Sequence, residues 1–61
     1  MFEDELRAQL AQARKDLAEA RADGDLDGVQ ASQGRISGLI RLAITHGITL
    51  PHTPEEERGE A

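Results

Sequence analysis

The 61-residue chain holds 23 apolar residues, nine of them alanine, so 14 large apolar side chains are available for a core, and there is no cysteine. Disulfides and thiolate metal sites are excluded, and self-association is the remaining common supplement for so small a chain. A net charge of −5 and a single aromatic residue argue against a general nucleic-acid binder and against an enzyme that builds its own pocket.

The chain opens Met1-Phe2-Glu3-Asp4-Glu5 rather than with a basic segment followed by an apolar one, and it has no apolar run of about 18 residues. A cytoplasmic protein with no membrane span is the expectation. From Glu3 to Ala22 there is no glycine or proline, and Ala, Leu, Arg, Gln and Glu dominate, which predicts a helix over 3–22. Its apolar positions Leu6, Leu10, Ala13, Leu17 and Ala20 alternate steps of four and three, the spacing of a coiled-coil seam. Arg7, Arg14 and Arg21 then fall together on one edge beside that seam, as a ladder of arginines.

Residues 23–25 predict a turn, in which Asp23 or Asp25 caps the next helix and Gly24 takes the left-handed conformation that ends the first. A second apolar series, Leu26, Val29, Ile36, Ile40 and Ala43, predicts a helix over 26–46 with Gln33 at its one polar seam position. Gly47 is the expected C-terminal cap, with Pro51 beyond it. Gly34 and Gly38, one turn apart on a face away from the seam, either permit close approach of another backbone or mark weak local helix. Folding about the turn sets Leu6 against Ala43, Ala13 against Ile36 and Ala20 against Val29, large side chains opposite alanines as interdigitation requires.

The expected fold is therefore all-α, an antiparallel two-helix hairpin over residues 1–50 that ends in an extended segment, 47–50, folded over its open end. The second helix is apolar almost all round from Ile36 to Ile44, and one partner helix covers only one stripe. A homodimer closing into a four-helix bundle is the simplest solution, with Phe2, Leu6, Ile36, Leu39, Ile40, Leu42, Ile44, Ile48 and Leu50 as its interface. Residues 51–61 form an acidic flexible tail in this reading. Thr53-Pro54-Glu55-Glu56 has the spacing of a capping box, but too few residues follow for a helix stable by itself.

Asp23-x-Asp25-x-Asp27-Gly28 resembles the first half of an EF-hand calcium loop, where alternate aspartates supply oxygen ligands around a glycine bend. The bidentate acid expected at the twelfth position is Gly34, so Asp23, Asp25 and Asp27 are weak metal candidates and are expected to serve the turn. His46 and His52 lack an acid at ligand spacing, and no cofactor is expected. Ser32, Ser37, Thr45, Thr49 and Thr53 have no acid–base partners in sequence, so no catalytic residues are assigned.

The expected function is a small non-enzymatic interaction module that binds itself and a protein partner, of a kind that suits a regulator, adaptor or inhibitor encoded by bacteria or their phages. In length and architecture the expected hairpin dimer is similar to the plasmid copy-control hairpins, and that resemblance implies an alternative, RNA binding through Arg7, Arg14 and Arg21. Ser32-Gln33 also opens like the Ser-Gln-Glu-Leu-Asp motif of small sporulation aspartyl-phosphate phosphatases. Gly34, Arg35 and Ile36 follow instead, and no activity carries over.

Overall fold

In the computed structural model, which describes residues 1–61, the uninterrupted helix-forming stretch becomes α1 (Phe2–Ala22), and the second apolar series becomes α2 (Leu26–Thr45). A third helix, α3, spans Pro54–Arg58, and there is no strand. Glu3, Asp4 and Glu5 in the first turn of α1 and Arg21 in its last complement the helix dipole.

Three residues suffice to reverse the chain. Gly24, at φ 68°, lets the Asp25 amide reach back to the Ala20 carbonyl (2.9 Å) while the Gly24 amide takes that of Arg21 (3.2 Å). This pair of bonds satisfies carbonyls that a helix end would otherwise leave open. The Asp25 side chain then accepts from the Gly28 amide at 2.9 Å and caps α2. The same device recurs at the other end of α2, where Gly47 (φ 70°) allows the Ile48 amide to reach the Ala43 carbonyl (2.8 Å), and the chain turns back across the hairpin.

Leu6, Leu10, Ala13 and Leu17 of α1 pack with Ile36, Leu39, Ile40 and Ala43 of α2, and Leu50 joins the same cluster from the segment after α2. Ala13, Ile36 and Ile40 are fully buried, the alanine giving the isoleucines room at close helix spacing. At the open end the Phe2 ring meets the His46 ring edge-on, with centroids 5.0 Å apart, so the start of α1 lies beside the end of α2. No helix is long and apolar enough to cross a membrane. Leu26, expected to begin the second seam, is 76% exposed in the first turn of α2.

One expectation is corrected. Residues 51–61 are not a solvated tail, because α3 packs against α2. Thr53 Oγ1 accepts from the Glu56 amide (3.1 Å) and Glu56 Oε1 accepts from the Thr53 amide (3.0 Å), with Pro54 in the first turn. Five residues cannot hold a helix by these local bonds alone. Side chains of α2 supply much of the rest: Ser37 Oγ donates to the Glu57 carbonyl (2.6 Å), Arg41 Nε to the same oxygen (3.3 Å), and Gln33 Nε2 to the Ala61 carbonyl. Gln33, the polar seam position, thus faces the rest of the chain rather than the α1 core.

Candidate interaction surfaces

The nine residues expected to form an interface separate into three groups. Leu6, Ile36, Leu39, Ile40 and Leu50 are buried within the single chain, so they are core and not a surface for a second chain. The reason is the extended segment 47–50: by inserting Leu50 beside Leu10 and Ile40, it covers the apolar girth of α2 that the helix pair leaves open. Phe2 (48%), Leu42 (40%) and Ile44 (53%) remain exposed, and Ile48 is half-buried.

The exposed group does not make one patch. Leu42 and Ile44 are two residues apart on a helix, so they point about 160° from each other, on opposite flanks of the core stripe. Ile44 belongs to the flank over which the chain returns. There Ile40, Ile44, Ile48 and Leu50, with Gly47, Thr49 and His52, line a shallow cavity of about 230 Å³. Leu42 lies one turn before His46, whose ring meets Phe2, so Leu42, His46 and Phe2 share the other flank. Gly38, one turn before Leu42, borders that flank, whereas Gly34 lies on the side of α2 that carries Arg41; a methyl group placed on either would touch nothing within 4 Å. One side of the hairpin is covered by the strap 47–53 and α3; the opposite side is bare.

The arginine ladder is taken up unequally. Arg7 Nη2 binds Glu3 Oε2 at 2.8 Å on the same helix, and Arg21 makes no ion pair. Arg14 is held by the far end of the chain: its Nε and Nη2 grip the two carboxylate oxygens of Glu56 (2.7 and 3.0 Å), and Nη2 also donates to the Pro51 carbonyl (2.7 Å). A forked, two-point contact of this kind fixes orientation as well as charge. The Arg14 guanidinium holds the Glu56 carboxyl below the usual glutamate range, with the Thr53 amide adding to the effect and burial opposing it. Beside this pair, Arg7, Leu10, Arg14, Leu50 and Pro51 line a second open cavity of about 250 Å³.

His52 sits where the strap meets α3. Its Nδ1 is 2.6 Å from the Leu50 carbonyl oxygen and its Nε2 is 3.2 Å from Glu57 Oε1. The Leu50 carbonyl, then Glu57, raise the imidazole pKa against the opposing effect of desolvation. His46 is on the bare flank with Phe2, so the two histidines do not meet. Asp25 is used as a cap, Asp23 ends α1, and Asp27 lies in the first turn of α2, where it suits the helix dipole. No three histidine, aspartate or glutamate side chains gather at ligand distance.

Sequence reasoning gave Gln33, Ser37, His52 and Glu56 other roles and did not single out Glu57; it missed that these residues attach α3. The signals were the capping box at Thr53–Glu56 and a C-terminal glycine, Gly59, at φ 76°. What was missing was their target, since Arg14 and Ser37 lie far away in sequence. Comparison of the chain with protein-family models, with curated proteins and with solved structures finds no match.

Proposed function

We propose that the chain is a non-enzymatic interaction module that pairs with a second copy through the bare flank of its hairpin and presents the resulting bundle to a protein partner. The carrying observation is the asymmetry of cover. Strap and α3 occupy one flank, whereas the other leaves Phe2 and Leu42 about half in water. Two such flanks placed together bring four helices around one apolar seam. RNA binding by the arginine edge is the less favoured reading, because Glu3 and Glu56 already neutralise Arg7 and Arg14.

Sedimentation equilibrium at micromolar concentration should give about twice the 6.6 kDa chain mass. Leu42→Glu should return the monomer mass with unchanged helical circular dichroism, since Leu42 is outside the core cluster. A wild-type chain that sediments as a monomer overturns the proposal, as does a Leu42→Glu variant that still pairs.

A further inference from the structure

Among the groups that hold α3 in place, one changes charge near neutral pH: His52, which joins it to the strap. Both ring nitrogens of His52 face oxygen atoms that carry lone pairs: the Leu50 carbonyl on the strap and the Glu57 carboxylate on α3. A neutral imidazole has one N–H and satisfies one of the two; only the imidazolium donates to both. We propose that His52 is a pH-dependent clasp, which in its charged form ties α3 to the strap and on losing its proton lets α3 lift from α2.

The surroundings decide the direction. From α3, Glu57 contacts the ring and Glu56 adds negative charge nearby. Glu56 is itself answered by Arg14 from α1, while Arg41 from α2 binds the Glu57 backbone carbonyl and not its carboxylate. The Glu57 carboxylate therefore has the imidazolium as its nearest cation. Because the folded chain favours the protonated ring, the contribution of His52 to docking is complete below the ordinary histidine value and is lost as pH rises through the raised folded value. Release would uncover Arg14, Gln33 and Ser37, the groups that α3 occupies when docked.

Carbon chemical shifts of residues 54–58 in the full chain report the helical population of α3, and the His52 Cε1 shift reports ring charge. Between about pH 5.5 and pH 8.5 the helical population should fall with the same midpoint as the His52 titration, while the amides of Ile36 and Ile40 hold their shifts. His52→Gln should remove this pH dependence, and Glu57→Gln should lower the His52 midpoint. The proposal is overturned if α3 shifts stay constant while His52 titrates, or if His52→Gln shows the same loss of helix. Both readouts lie within one chain, so the result does not depend on whether two copies pair.

Discussion

Arg14 belongs to two structures at once, the first helix by sequence and the third by its bonds. Charge-assisted hydrogen bonds are worth about 1.5–3 kcal/mol each when well formed. The Arg14 side chain is 40% exposed, so solvent screening reduces the pair to an expected 1–2 kcal/mol or about that. Arg14→Gln and Glu56→Gln should each lower α3 docking by roughly tenfold, read as faster hydrogen exchange at Glu57 and Gly59. The melting of the α1–α2 pair should hardly move, because neither side chain belongs to the core cluster. Glu56 also sets an acid limit: its pKa is depressed when folded, so its contribution is present above the ordinary glutamate value and fades as pH falls through the lowered one. With His52 acting in the opposite sense, α3 is held best in a window between these two titrations.

At the scale of elements, the hairpin was legible because its rules are local. Leucines and alanines at alternating steps of three and four mark the buried stripe of α1, and Asp23-Gly24-Asp25 supplies the left-handed glycine and the side-chain cap that the reversal uses. The attachment of α3 was not legible, because Glu56 meets a residue 42 positions away and Ser37 meets one 20 positions away. No periodicity encodes such bonds. The interface set was overdrawn for a related reason: counting apolar residues around α2 does not reveal that Leu50 comes back to cover Ile40. The glycines of α2 remain informative. Gly34 and Gly38 have helical backbone and open space around them, so alanine at either should stabilise the chain by about 0.4–1 kcal/mol. In a small domain that is a rise in Tm of roughly 4–8 °C per kcal/mol, visible by circular dichroism. A fall in Tm instead would mean that another backbone lies against this face in solution, which is the close-approach alternative.

For the molecule as a whole, stability rests on a single thin layer. A chain of this length has a total of about 3–9 kcal/mol to lose. Leu50 is the one core residue contributed from outside the helix pair, and removing its side chain opens a space between Leu10 and Ile40. Leu50→Ala should cost about 2–3 kcal/mol in urea unfolding, a large share of the total. A cost below about 0.5 kcal/mol would show that the strap contributes nothing to the core in solution. The fold is thus a hairpin completed by its own return segment, with a short helix fastened on afterwards.

That fastening differs in kind from everything beneath it. None of the residues of α3 is buried, and its ties to the hairpin are ion pairs and hydrogen bonds, whereas α1 and α2 are joined by leucine, isoleucine and alanine. Dissolved ions therefore act on the two parts with opposite sign: they screen Arg14 from Glu56 and His52 from Glu57, while strongly hydrated anions such as sulfate favour apolar burial. The ionic strength of the surroundings is a second control on the third helix, one that loosens it under the conditions that make the hairpin firmest.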